Sequence, residues 1–429
     1  MNCSKQGENV KILDMRDTLD INADKNRIWS VIAVTVSVLL FAAFLTFLII
    51  RKNNIRNEEL LANQTSEPLP QITGEELFPE WYDEEVTSGE NGEVYSEKTE
   101  ILPEDTYMLP EKETVTFTFA GDVLLDENYA VMSTYRANDS VLENCIDPQL
   151  LDIMRNSDVF MINNEFPYTN RGTPLPNKAF TFRATPENVQ ILRDMGVDIV
   201  SLANNHASDY GEVSLLDTLD TLDSAGIPYV GAGRDLEEAS KVVFYQKGDM
   251  KIGIVSATEV ERLATPDTKG ATTNSPGTFR CFQNDALEDV IKKAKEECDF
   301  LIVYVHWGTE STDELDWSQP GQAADFTAAG ADVIIGAHPH VLQEIAYVNG
   351  VPVFYSLGNF WFNSKNQDSC LVTLEVGEEG LVSMKFIPCR TSGGTTSLAS
   401  GTEAERILEY MRGLSDGVLI DAEGYVLPE

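Results

Sequence analysis

"IIGAHPHVLQ", residues 334–343, sets His338 and His340 either side of Pro339, directly after a run of apolar β-formers. The chain holds four histidines in 429 residues, and the other two sit in the same kind of place. His206 closes "DIVSLANNH" and His306 closes "FLIVYVH". Further strand-like runs end in Asp122 ("TFTFAGD") and Glu165 ("DVFMINNE"), while Asn204 and Asn205 immediately precede His206. One imidazole at a strand end is commonly a structural hydrogen-bonder. All four in such places, beside two carboxylates and an asparagine pair, make the nitrogen and oxygen donor set that zinc, manganese or iron takes from separate loops. The residues predict a divalent-cation site.

The elements that must position these groups are legible as strands and helices. Strand-like runs are "VTFTFAGDVLL", "DVFMINNE", "DIVSLANN", "KIGIVSAT", "FLIVYVHW", "DVIIGAHP" and "VPVFYSLGN". Helical stretches lie between several of them. "TPENVQILRDMG" offers Thr185 as a cap, Pro186 at the first helical position and a closing Gly196. "VSLLDTLDTLDSAG" repeats leucine at helical spacing, and "NDALEDVIKKAKEEC" is amphipathic behind Asn284 or Asp285. Apolar strands alternating with helices predict an α/β fold with a buried, largely parallel sheet, whose functional groups sit on loops past the carboxyl ends of the strands. After Ser369, "CLVTLEVGEEGLVSMKFIPCR" reads as a β-hairpin turning at Gly377–Gly380, with one disulfide open to Cys370 and Cys389 across it. "GGTTSLASG" reads as a loop, and "TEAERILEYMRGLS" as a helix covering the sheet.

Upstream the composition changes twice. Trp29–Ile50 runs 22 residues without a charge, enough helix to cross a bilayer core. Five Lys/Arg precede it, and the arginine–lysine pair 51–52 follows without a small-residue cleavage site. The expectation is a short cytoplasmic tail (1–28), a transmembrane anchor (29–50) and the remaining chain outside the cell. Residues 57–113 carry 17 Asp/Glu against Lys98 and Lys112, with five prolines, so 51–113 reads as an acidic disordered stalk. The domain then spans 114–429. With 31 basic against 70 acidic side chains, a net −39, the chain is a poor general binder of nucleic acid.

Six ordered stretches carry a resemblance: "FTFAGDVLL", "NNEFP", "KAFTFRATPENVQILRDMGVDIVSLANNHASDYG", "VYVHWGTE", "GAHPHVLQ" and "FYSLGNFWF". Together, over 114–362, they resemble the CapA family, associated with bacterial capsule and poly-γ-glutamate synthesis. That family is similar in turn to the calcineurin-like metallophosphoesterases, whose fold is a four-layer αββα sandwich. The core motifs would occupy 114–362, with the hairpin and helix in 363–415. The resemblance implies that Asp122, Glu165, Asn205, His306, His338 and His340 are metal ligands, Glu165 bridging, and that His206 is the catalytic imidazole near the leaving group. Leu124 stands where the related enzymes carry a histidine, and Glu165 replaces an aspartate. One ion or two, manganese, zinc or iron, both remain open at this point.

If the site is catalytic, the cation activates water and polarises the oxygen under attack. His206 would then protonate the leaving group. Arg183 in "FTFRATP" is either an anion clamp or a partner in a surface salt bridge. Asn204, Glu310 and Asn359 are candidates to orient histidines, whereas Asp209 reads as a turn-shaping residue. Two functions fit: a membrane-anchored hydrolase of a phosphoester or amide in an anionic polymer, and a non-catalytic metal-binding component of a polymer synthesis or export complex. Polymer-synthase subunits are the partners that the resemblance implies.

Overall fold

The computed structural model describes residues 105–260 and 268–429, all within the unit Glu97–Glu429. The span 29–50, the tail before it and most of the acidic segment lie outside the described residues. Among those described, no helix is long and apolar enough to cross a membrane.

Two mixed sheets form the centre. One runs, in spatial order, Thr106–Met108, Val243–Lys247, Met250–Thr258, Phe300–His306, Val333–Ala337, Val351–Phe354 and Ile345–Val348. Met250–Thr258 through Val351–Phe354 are parallel. The other runs Thr395–Leu398, Gly380–Ser392, Gln367–Gly377, Val115–Val123, Val159–Asn164, Ile199–Ser201 and Tyr229–Val230, its last four strands parallel. Asn359–Trp361 adds to the Val115–Val123 strand near its carboxyl end. All seven stretches read as strands are strands.

Side-chain alternation makes the layers. Phe117 and Phe119 of one sheet share a buried core with Ile252, Ile254, Ile302 and Tyr304 of the other. The outer face of the second sheet, with Phe160, Ile162 and Val200, is covered by Leu150, Leu192 and Leu219 from the helices Pro148–Asn156, Val189–Met195 and Glu212–Ala225. The outer face of the first, with Val303, Val305 and Ile334, takes Leu287, Ile291 and Phe326 from Asp285–Lys295 and Gln319–Ala329. The order is helix, sheet, sheet, helix. Each buried Leu, Ile or Phe contributes roughly 1.5–3 kcal/mol of transfer free energy. Gly196 and Gly226 close two of the helices in the left-handed conformation, as expected of C-terminal glycines.

Several expectations are corrected. Thr106–Met108 pairs in parallel with Val243–Lys247 and Leu109 packs on the inner core, so the end of the acidic segment is an edge strand rather than solvated spacer. The glycine-flanked loop read at 393–401 contains a strand, Thr395–Leu398, because its alternating threonines and serines extend the sheet beside Gly380–Ser392. The hairpin turns where expected, between Gly377 and Gly380. Its cysteines are both free and buried. Cys370 stands opposite Pro388 and Cys389 opposite Ser369, a one-residue offset that sends the two sulfurs to opposite faces of the sheet. The helix Gly401–Leu414 buries Ile407, Leu408 and Met411 in the inner core.

Candidate metal centre

The polar groups gather at the carboxyl ends of the parallel strands, where the two sheets abut. Asp122 ends the strand Val115–Val123. Its N–H donates to the Gly358 carbonyl at 3.1 Å, and a Cβ on Gly121 would stand 1.8 Å from that same oxygen. Only glycine at 121 allows this approach, and the approach sets Asp122 beside Asn359. Asp122 is fully buried and faces His340, with Oδ2 2.9 Å from Nδ1. The turn that delivers His340 is strained: His338 has φ of 100° and His340 of 60°, both left-handed and neither glycine. That geometry brings the ring centroids of His338 and His340 to 5.7 Å and those of His306 and His338 to 4.7 Å.

Glu165 lies at the middle of this set. Its side chain is fully buried, and Oε1 accepts no hydrogen bond among the described residues. Three imidazole nitrogens surround that oxygen: His206 Nε2 at 3.9 Å, His306 Nε2 at 3.8 Å and His340 Nε2 at 3.9 Å. These separations are too long for hydrogen bonds. Two atoms bound to one cation at ~2.0–2.2 Å stand at most ~4.4 Å apart, so all three are compatible with a shared ion. Two overlapping donor groups can be drawn, Glu165 with His338 and His340, and Asp122 with Glu165 and His306. Glu165 belongs to both. Asn205 Oδ1 stands 3.1 Å from His306 Nε2. All seven residues expected at the site, the six candidate ligands and His206, are therefore brought together. A buried carboxylate oxygen without a donor, ringed by imidazoles, is a poor protein interior and a good cation cage.

Titration follows the same surroundings. Burial pushes Glu165 well above the ordinary carboxylate range, and the Asp122 charge adds to it. Burial and then the neighbouring imidazoles hold His306 well below its usual value. For His206, burial outweighs the pull of Asp209 and lowers it. For His340, burial is overcome by the hydrogen bond and charge of Asp122, with help from Glu310 and Asn359, and the net direction is upward.

Around this centre stand the groups that orient it. Asn359 Oδ1 lies 3.0 Å from His340 Nδ1, as expected, and Gln367 links the Asn359 amide to the His340 carbonyl. Asn204 accepts from the His206 N–H and donates to Asn163 Oδ1. Asn163, which the sequence reading passed over, reaches Asp122, Glu165 and His306 at 2.8, 3.2 and 3.2 Å. Its place at a strand end, two residues before Glu165, was the available signal. Glu310 is a correction: it is exposed and bonds no histidine among the described residues, acting on His340 and Glu165 only through its charge.

Asp209 is a second correction. It is buried, and Oδ2 lies 2.7 Å from His206 Nδ1 while also accepting the Phe182 N–H at 2.7 Å. The three-residue spacing within one turn places it under the imidazole. Behind it the buried ammonium of Lys178 donates to Asp209 Oδ1 at 2.6 Å and to the Asn205 carbonyl. Phe182 packs its ring against His206, tilted by 36° with 4.3 Å between centroids, and so limits the imidazole's rotation. Next to it, Arg183 lays its guanidinium 4.5 Å over the Tyr210 ring. No salt bridge or hydrogen bond engages that guanidinium among the described residues, so the surface-salt-bridge alternative is not what the structure has.

Residues 116–364 match the family described as "Bacterial capsule synthesis protein PGA_cap". The PGA biosynthesis protein CapA of Bacillus subtilis is 31% identical over 284 residues, covering 64% of this chain and 71% of its own. A probable polyglutamine synthesis accessory protein of Mycobacterium tuberculosis is 29% identical, covering 60% and 73%. Among solved structures, a sulfate thiohydrolase, SoxB, of Thermus thermophilus aligns over 72% of this chain and 62% of its own at 13% identity and a TM-score of 0.38.

Proposed function

This chain belongs to the bacterial capsule synthesis protein family PGA_cap, and from that premise we propose that it is a metal-dependent hydrolase of capsule or poly-γ-glutamate biosynthesis. Its substrate would be a phosphoester or amide of an anionic polymer. The observation that carries the proposal is Glu165 Oε1, buried without a donor and facing the Nε2 atoms of His206, His306 and His340. Glu165, His306, His338 and His340, with Asp122 and Asn205, would hold one or two divalent ions, manganese, zinc or iron. Bound there, a cation supplies Lewis acidity, acidifying water and polarising the oxygen under attack.

The remaining work falls to the chain's own side chains. Asp209 accepts from Nδ1–H of a neutral His206, which leaves the Nε2 lone pair facing the reaction centre. Burial keeps that imidazole neutral until an anion arrives. An entering phosphoryl or carboxyl group raises its proton affinity, so Nε2 takes up a proton from solvent water and then passes it to the leaving group. Lys178 neutralises Asp209 and ties the 166–183 loop to the backbone of Asn205. Arg183, held by Tyr210 and bonding no acceptor among the described residues, is suited to grip an anionic oxygen pair.

The charge-free run 29–50 supports a single-pass anchor, the five Lys/Arg before it support an extracellular domain, and the accessory role in the mycobacterial relative's name supports polymer-synthase subunits as partners. A non-catalytic reading draws on one observation. Leu124, in place of a first-motif histidine, is buried in the helix-side core and offers no ligand. The full chain, purified in mild detergent, stripped of divalent ions and reloaded with manganese, zinc or iron, decides between them. Hydrolysis of bis-p-nitrophenyl phosphate or poly-γ-glutamate, lost in His206→Ala with metal retained, is the expected result. Inertness on both substrates at full metal occupancy leaves the non-catalytic role.

A further inference from the structure

A wall of rings leads from the metal centre towards the surface. Phe182, whose ring packs against His206, meets Tyr129 and Phe362 edge-on, with centroids 4.9 and 5.8 Å away. Phe362 packs in turn against His340, with 4.7 Å between centroids. Phe182 and Phe362 are buried and Tyr129 is half-buried. Phe180, two residues before Phe182, continues the wall at 6.5 Å with its plane turned by 25°, and it is 59% exposed.

A single exposed phenylalanine is ordinary at a protein surface. Two features set this one apart. The backbone beside it is pinned by buried carboxylates, since Asp209 accepts the Phe182 N–H and Asp126 the Arg183 N–H, each at 2.7 Å. Arg183 then lays its guanidinium over Tyr210 and bonds no acceptor among the described residues. In a chain of net charge −39 that is unusual: Arg171, Arg234, Arg390 and Arg406 each hold a carboxylate. An apolar ring and an uncompensated cation are thus presented together, next to the imidazoles, on one anchored segment.

We propose that Phe180 and Arg183 form a binding subsite for an acidic, amide-linked chain. Arg183 takes a pendant carboxylate, and Phe180 receives the methylene and amide surface beside it. A planar amide and its methylenes leave water by stacking on a phenyl face. A hydroxyl-rich phosphodiester chain needs donors and acceptors around it, and that face has none. Of the two bond classes open at the metal centre, the subsite therefore selects the amide. The inference rests on the reading that the centre handles an anionic polymer, and its test needs no turnover.

Calorimetric titration of the full chain in detergent, with chelator present so that nothing is hydrolysed, tests it. Penta-γ-glutamate should bind saturably, about fivefold or more weaker in Phe180→Ser and close to wild type in Phe180→Tyr. Val382→Ser, which removes a comparably exposed side chain on the strand Gly380–Ser392, should leave binding unchanged. Inorganic pentapolyphosphate, an anion without an apolar face, should bind equally well with and without Phe180. Absence of saturation, an affinity for penta-γ-glutamate unaltered in Phe180→Ser, or tighter binding of an oligo(glycerol phosphate) of equal length overturns the proposal. Phe180-dependent binding by a chain that hydrolyses nothing once reloaded with metal leaves the subsite standing and removes the hydrolase. Hydrolysis by a chain whose binding ignores Phe180 does the reverse.

Discussion

Asp209 Oδ2 lies 2.7 Å from His206 Nδ1, three residues apart along one turn, and both side chains are buried. The pair fixes which imidazole nitrogen faces Glu165. Asp209→Asn keeps the volume but can donate to Nδ1, reversing the tautomer. Hydrolysis should fall by about 10²-fold or more, with metal content retained. Turnover and bound metal measured on the same preparation check this. A variant that loses metal and turnover together would make Asp209 a structural support only.

Gly121→Ala tests the local geometry that delivers Asp122. The new Cβ would meet the Gly358 carbonyl at 1.8 Å, and that atom is backbone, so the strand end must move. A loss of about 3 kcal/mol in urea unfolding is expected, with weakened metal binding. Wild-type stability in this variant would mean that the approach of the two strands is not needed.

Much of this centre is legible in the sequence, and the reason is geometric. Parallel strands end at a common edge, so a residue type repeated at strand ends converges without any further information. Asp122, Glu165, Asn205 and the histidines were found that way. Lys178 was not: it lies in the polar, proline-rich stretch "RGTPLPNKAF", and its partner Asp209 is 31 residues further on. Nothing periodic links them. Glu310 failed for the opposite reason, since closeness in sequence to His306 carried no information about where an exposed loop points. The two sheets follow the four-layer αββα sandwich that the resemblance implies, whereas the strand pattern alone does not record which sheet each apolar run joins.

Glu165→Gln gives a dependence on pH whose sign follows from burial. Glu165 is held well above its usual range, so in metal-free protein its stabilising contribution is full at low pH. It is lost as pH rises through the raised folded value. Metal-free wild type should therefore lose stability above about pH 4.3, the unfolded glutamate value, while Glu165→Gln stays flatter. Cation binding must displace that proton, so affinity rises with pH. At a hundredfold excess over Kd, metal adds about 2.7 kcal/mol to wild type and nothing to the variant. Denaturant unfolding of both proteins at pH 5 and 8, with chelator or manganese, checks this.

Arg183→Met removes a guanidinium that stacks on Tyr210 and bonds no protein acceptor among the described residues. An anion grip made equally in ground and transition states predicts a raised KM with kcat little changed. The loss should be about tenfold in kcat/KM and should vanish for an uncharged ester substrate. An equal loss on charged and uncharged substrates would remove Arg183 from substrate binding.

Anomalous diffraction from crystals of manganese- or zinc-loaded protein is the most direct measurement of all. A peak within bonding distance of Glu165 Oε1, bounded by the Nε2 atoms of His306 and His340, is the predicted result. Saturating metal with no peak there, or with density only at surface carboxylates, would contradict a cation centre at this edge of the sheets.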